Sequence, residues 1–401
     1  MTLTRASRPL SAGVGNRNDQ TRRHNLSTLL TMLHHGGAQT RAQLTRQAGL
    51  NRSTIGALVT ELADLGLAYE TDPQDSGLVG RPSPLVHANE KVVAITVNPD
   101  VDAITIGLVG LGAVLHKRIR FETAAVPTVR ETVNVVSAVL AGMRTELEAQ
   151  FRVVGVGVAI PGLVNSNDGT VLLAPHLGWR DEPVAAPLAD ALGFATRAAN
   201  DAGLATVAES LYGSGRGVHD LVYLNGSASG IGGGVLAGGS MLRGSQGFAA
   251  ELGHTLVNSR GERCHCGKTG CLETEVNLDR LLAVLGRDSL GLDELDELLL
   301  NETLAPDVRA EVDRQLDVLA LAIGNFVSVF NPESVVLGGF LGSLYEANPE
   351  RLRAAVRELT LGSLGETLRI DRAQLRSRLL TIGAAELAFG DLLADPAGTA
   401  F

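Results

Sequence analysis

The sequence predicts an α/β protein in which a small helix-turn-helix head precedes a body of two related halves around a cleft. Three observations carry this expectation. The first sixty residues hold eight arginines against one acid, Asp19, a net of +7 in a chain whose total is −10, which leaves −17 for the rest. Inside that basic head, apolar residues recur at helical spacing in three short runs separated by glycine turns. From Val92 onward the pattern changes to strands and helices, with hairpin, helix and strand repeated in the same order. At 401 residues the chain exceeds one ordinary core. With only 3% aromatic residues its cores must rest on Leu, Val, Ala and Ile.

Residues 1–20 are polar, with scattered Arg, Ser and Asn, and read as a disordered arm. The head proper, with its linker, is assigned to residues 21–90. From Asn25, the spacing of Leu26, Leu29, Leu30 and Leu33 predicts a helix that ends at Gly36-Gly37. Thr40 caps a second helix carrying Ala42, Leu44 and Ala48, and Gly49-Leu50 forms a tight turn. Asn51 caps a third helix, Arg52–Leu65, whose inward face is Ile55, Leu58, Val59, Leu62 and Leu65. A short helix, a glycine turn and a helix opening on Asn-Arg-Ser-Thr make a helix-turn-helix. Segments Leu67–Glu70 and Pro84–His87 pair as strands of a wing around Gly80-Arg81-Pro82, where an arginine on extended backbone suits a minor groove. Arg41, Asn51, Arg52, Ser53, Thr54 and Arg81 are the candidate contacts to double-stranded DNA. A basic head on an acidic body implies that only the head approaches the polyanion; a three-helix domain that binds protein is the competing reading.

In the body, Val92–Val97 and Ile104–Val109 read as strands, followed by a helix near Val129–Ala149 and a buried strand, Val153–Ala159, leading into Pro161-Gly162. Strand Leu221–Asn225 opens into the glycine-rich Gly226–Val235. A long helix near Val312–Phe330 feeds strand Ser334–Leu337 and Gly338-Gly339. The first lobe is taken as 91–199, completed by a C-terminal helix at 383–401, and the second as 200–382. A glycine-rich loop alone is a weak phosphate signal.

All three cysteines fall within Cys264-His265-Cys266-Gly267-Lys268-Thr269-Gly270-Cys271, and His254 stands ten residues upstream of Cys264. Three thiolates and one imidazole make a complete tetrahedral zinc set, with Cys264, Cys266, Cys271 and His254 as ligands. Four protein ligands leave no position for water, so the expected zinc is structural. A disulfide would leave one cysteine over, and no secretory segment supports oxidation.

Asn200-Asp201-Ala202, Glu251-Leu252-Gly253-His254 and Cys264–Glu273, in this order and spacing, resemble the ROK family of repressors, open reading frames and kinases. The resemblance covers about residues 22–395, including the helix-turn-helix of the family's transcription-factor branch. It implies a duplicated actin/hexokinase-like body with a sugar pocket between lobes. It also implies that Asn200, Asp201, Glu251, His254 and Glu273 hydrogen-bond a hexose-type ligand, with Gly162 on a sugar-side loop. Vicinal hydroxyls call for several fixed acceptors, which carboxylates supply. Asp201 matches the general base of the kinase branch.

Kinases of the family carry Asp-x-Gly-x-Thr on the first hairpin, and here the sequence reads Asn98-Pro99-Asp100-Val101-Asp102. The glycine is gone, proline removes an N–H, and two carboxylates stand where a triphosphate would lie. The expectation is therefore a sugar-responsive DNA-binding regulator rather than an enzyme. Its effector would be a sugar or sugar phosphate, and it would act as a homodimer or homotetramer. The runner-up is a sugar kinase bearing a DNA-binding head. No apolar run suits a membrane span and no secretory h-region opens the chain, so a cytoplasmic protein is expected.

Overall fold

A computed structural model of the chain describes residues 14–72, 84–245, 247–301 and 304–399. Arg81 and residues 1–13 of the expected arm lie outside these segments. The rest of the arm is not disordered: a helix runs from Val14 to Gly36. Within it Asp19 pairs with Arg22 and Arg23, three and four residues on, which is the spacing that supports a polar helical turn.

The second and third head helices are Arg41–Ala48 and Arg52–Asp64. Thr40 closes a capping box with Gln43, and Gly49 ends that helix at φ 65°, a left-handed conformation suited to glycine. Asn51 caps the third helix by accepting from the Thr54 N–H. Strands Ala68–Thr71 and Leu85–Ala88 pair antiparallel as the wing, and Gln39–Thr40 adds a short third strand to Leu85–Val86.

The body contains two five-stranded sheets of the same topology. In the first, strand Val92–Pro99 pairs antiparallel with Ala103–Gly110, which pairs antiparallel with Val114–Glu122. On its other side Val92–Pro99 pairs parallel with Arg152–Ile160, which pairs parallel with Thr196–Asn200. In the second, Leu221–Ser227 pairs antiparallel with Gly230–Ala237 and then Ser240–Met241, and parallel with Ser334–Gly339 and then Arg369–Arg372. Three antiparallel strands and two parallel ones, in the same order, make the duplication expected from the sequence. The helix expected over Val129–Ala149 is broken at Met143 into Val129–Gly142 and Arg144–Gln150, and the long second-lobe helix starts earlier, at Pro306.

Two helices organise everything else. The cleft helix, Asp201–Tyr212, leaves the last strand of the first sheet, and the C-terminal helix spans Leu379–Ala394. The C-terminal helix is apolar on nearly every face and lies between the first sheet, the cleft helix and the head. The core of the head is continuous with that of the body. Leu26, Leu29, Leu30, Leu33, Ile55 and Leu62 share one buried cluster with Val92, Ala94, Val109 and Leu111 of the first sheet and Ala385, Phe389 and Leu392 of the C-terminal helix. Arg152 donates to the Leu65 carbonyl and Asn89 to that of Gly66, so no free linker separates head from body. Among the described residues no helix is long and apolar enough to cross a membrane.

Candidate ligand cleft and metal-ligand cluster

A cleft of about 670 Å³ opens between the lobes and brings together Gly162, Asn200, Asp201, Glu251, His254 and Glu273. Asn200 ends a strand of the first sheet and caps the cleft helix: its Oδ1 accepts from the Gly203 N–H at 2.8 Å. Its Nδ2 donates to the Gly162 carbonyl at 3.0 Å. Gly162 cannot bear a side chain, because a Cβ there would lie 2.4 Å from the Leu173 carbonyl oxygen. These two residues therefore fasten the cleft wall to the helix start.

Asp201 is the first residue of that helix. Burial, with the charges of Asp100 and Glu251 adding and a hydrogen bond from the Ala202 N–H opposing, pushes its carboxyl up to about 7. Burial likewise raises Glu251, with His254 opposing and the charge of Glu273 adding. Glu273 is buried and accepts from the Cys264 thiol at 2.9 Å, with His254 Nδ1 and His265 Nδ1 each 3.2 Å away.

His254, Cys264, Cys266 and Cys271 present donor atoms all within 4.8 Å of one another. Cys266 Sγ lies 3.6 Å from Cys271 Sγ, and Cys264 Sγ lies 3.6 Å from His254 Nδ1. A tetrahedral ion with bonds of about 2.0–2.3 Å sets donor separations of roughly 3.5–3.8 Å, so this set fits such an ion. The loop can close this tightly because Gly270, at φ 76°, meets the Asn258 carbonyl where any Cβ would collide. With Nδ1 aimed at Cys264, His254 keeps Nε2 for the cleft, which it lines.

His265 faces the same space without a role from sequence, beside His176 and Trp179 of the stretch Ala174–Trp179, which resembles a sugar-side loop of the family. His265, between two inward-turned cysteines, stacks edge-on to His254 at 5.2 Å, and His176 approaches it at 6.1 Å. The alternation of the Cys-His-Cys run was the available signal. Trp179, the chain's one tryptophan, is buried and fixes the neighbouring loop by donating to the Pro127 carbonyl at 2.9 Å.

The first hairpin turn has little left to give a phosphate. The Asp100 N–H is used by the Ala103 carbonyl, the Val101 N–H by the Asp100 carboxylate, and Asp102 is held by Arg120. In the head, Asn51 Oδ1 also accepts from Ser53 Oγ at 2.7 Å, while Arg52 is exposed. Arg41 makes a bidentate pair with Glu70 of the wing, both contacts at 2.6 Å. That pair ties the second helix to the wing and commits the guanidinium in this structure.

A winged helix welded to a duplicated two-lobed body, with an acceptor-lined cleft between the lobes, defines an actin/hexokinase-like protein carrying a DNA-binding type of head. The chain belongs to the ROK family, which matches residues 97–390. It is 26% identical to the xylose repressor of Caldicellulosiruptor bescii, over 89% of this chain and 93% of the relative. It is also 26% identical to a glucokinase of Thermotoga maritima, over 74% of this chain and 97% of the kinase, so the kinase likeness covers less of the chain. A solved ROK family transcriptional regulator, a homologue of the Escherichia coli Mlc protein, shares the fold at a TM-score of 0.77 and 23% identity, covering 94% of this chain and 98% of that one.

The raised carboxyl of Asp201 has a thermodynamic consequence. An acid that holds its proton more tightly when folded favours unfolding once it ionises, so stability falls as pH rises from the ordinary aspartate range to about 7. Asp201→Asn removes that term. In ligand-free protein the melting advantage of the variant should be small at pH 4, grow by on the order of 1.4 kcal/mol per pH unit, and level off above pH 7. A difference independent of pH across this range would show that Asp201 is not held protonated.

Proposed function

We propose that the protein is a sugar-responsive, DNA-binding transcriptional regulator that represses genes of carbohydrate uptake or catabolism, working as a homodimer or homotetramer. The observation that carries this is the common core of head and body, which lets a cleft built for a polyol bear directly on the helix-turn-helix. Glu251, Glu273 and Asp201 accept hydrogen bonds from sugar hydroxyls, and the His254 Nε2 side adds a donor or acceptor. Arg52, Ser53 and Thr54 approach the major groove from the start of the third helix, and Arg81 the minor groove. Asn51 serves by capping that helix, and Arg41 contributes through its tie to the wing. The likeness to a xylose repressor along nearly the whole chain supports this reading over the kinase one. The spent amides and the carboxylates of the first hairpin turn oppose triphosphate binding.

The residues of the cysteine loop fit a structural zinc, held by His254 Nδ1, Cys264, Cys266 and Cys271. Such an ion would supply a fixed positive centre that holds the loop bearing Glu273 against the segment bearing Glu251. A kinase reading rests on Asp201, whose carboxyl near pH 7 suits a general base. Sugar-dependent ADP release that disappears in Asp201→Asn would establish it.

Binding to the DNA upstream of the protein's own gene, with and without a panel of aldoses and sugar phosphates, tests the proposal. Arg52→Ala should weaken that binding by about 1–3 kcal/mol. Glu251→Ala should still bind the DNA but lose the response to sugar. A full response in Glu251→Ala would remove it from the pocket, and absence of specific binding at low salt would remove the regulator itself. Metal analysis of purified protein should find about one zinc per chain, lost in Cys266→Ser together with sugar affinity. A metal-free preparation with normal sugar binding would contradict the zinc assignment.

A further inference from the structure

The end of the cleft helix remote from the ligand holds a second cluster of polar groups, buried where head and body meet. Glu386 of the C-terminal helix receives three donors. His34 Nε2 lies 2.7 Å and the Tyr212 hydroxyl 2.8 Å from Glu386 Oε1, and His35 Nε2 lies 3.0 Å from Oε2. His34 and His35 end the long head helix, and Tyr212 is the last residue of the cleft helix. The His34 side chain is fully buried and that of Glu386 is 7% exposed.

Two histidines and a carboxylate have the composition of a metal site, but the hydrogen bonds argue otherwise. The Gly112 N–H donates to His34 Nδ1 at 2.8 Å. That nitrogen is therefore an acceptor, and the proton sits on Nε2, where it goes to Glu386. A metal on Nε2 would force a proton onto Nδ1, facing the Gly112 donor. The cluster is thus a proton-bearing joint. Burial opposes ionisation of Glu386, and the hydrogen bonds from His34 and His35 lower its carboxyl against it.

The joint links the two ends of one rigid element. Asn200 and Asp201 start the cleft helix at the ligand site, and Tyr212 ends it about 16 Å away, at 1.5 Å per residue. The first half of the helix packs backbone-close on the C-terminal helix, since a Cβ at Gly383 would meet the Leu204 carbonyl at 2.4 Å. A cavity of about 470 Å³ runs beside it from Asn200 and Glu251 to His35 and Glu386, leaving room for that flank to shift.

Resting on the regulator reading above, we propose that Tyr212, Glu386 and His34 form the joint through which a ligand in the cleft changes the set of the DNA-binding head. A ligand that draws the start of the cleft helix toward the second lobe displaces Tyr212 from Glu386. The head helix, anchored to the same carboxylate through His34 and His35, then resettles. The joint has two discrete arrangements, made and broken, as transmission between distant sites requires. Tyr212 is a positioning residue, since it touches neither sugar nor DNA.

The test is a coupling measurement on the full chain. Operator affinity is measured with and without each of D-xylose, D-glucose, N-acetylglucosamine and glucose 6-phosphate, and sugar affinity is measured without DNA. Tyr212→Phe keeps the edge-on ring packing against His34 and His35 and removes only the hydroxyl. The variant should bind the effective sugar and the free operator each within about twofold of the wild-type protein. The fold-change that sugar produces in operator affinity should collapse toward one. Glu386→Gln, which keeps an acceptor oxygen but loses the charge, should reduce the same ratio and serves if the first variant melts early. A wild-type fold-change in both variants overturns the joint while leaving the regulator intact. A wild-type protein that none of these compounds moves on its operator overturns the sugar response on which the joint rests, and the joint with it.

Discussion

The structure depends on the way the C-terminal helix is buried. Its backbone touches the first sheet so closely that a Cβ at Gly157 would lie 1.8 Å from the Ala384 carbonyl, and on its other flank Gly383 meets the cleft helix in the same manner. Contacts this close need glycine on one side and small residues on the other, and Gly383-Ala384-Ala385 supplies them. One turn further on, Glu386 and Phe389 meet the head helix, where Phe389 packs on the His34 ring at 5.1 Å. Residues from the far end of the chain thus complete the first lobe, support the ligand-bearing helix and dock the head at once. Truncating a core aromatic such as Phe389 typically costs about 3–5 kcal/mol, and here that cost would fall on three interfaces together.

The same close packing explains the electrostatics of the cleft. Asp201, Glu251 and Glu273 converge in the cleft, and burial, with the charges of neighbouring carboxylates adding, raises the carboxyls of Asp201 and Glu251. Buried acceptors without partners are costly. Carboxylates held this way are acceptors, so hydroxyl donors entering the cleft would meet groups able to receive them. Any change at Asp201 would act on the cleft helix directly, since Asp201 is its first residue and Asn200 its cap.

Much of this was legible because it is local. Thr40, Gly49 and Asn51 announce helix ends through side-chain and φ preferences that need no tertiary context. The cysteine cluster is compact in sequence as well as in space. The duplicated sheets could be read from strand order, but the outer strand Val114–Glu122 could not. It is half-exposed along its length and carries His, Lys and Arg where a buried strand would be apolar. Residues 14–20 are helical although expected to be disordered, because a polar helical turn held by Asp19, Arg22 and Arg23 has no apolar stripe to reveal it. The union of head and body was also hidden. Val92 and Ala94 look like any core strand, and His34 and Glu386 are separated by 352 positions. Pairings at such range leave no periodicity behind.

The first hairpin turn and the second-lobe Gly338-Gly339 loop differ in what holds them in place. Gly339 is kept at φ 59°, where any Cβ would lie 1.8 Å from the Gly226 carbonyl, so the second-lobe loop is preserved by its own packing whether or not nucleotide is bound. The first hairpin turn is under no such constraint. Its tip is exposed, and its amides have been turned inward onto Ala103 and Asp100. Asp201 has chemistry for either role: its carboxylate would accept a hydrogen bond from a bound hydroxyl, or take the proton as a general base. A turn that spends its amides on its own residues offers a triphosphate few donors, while the carboxylates lining the cleft still offer acceptors to hydroxyl groups.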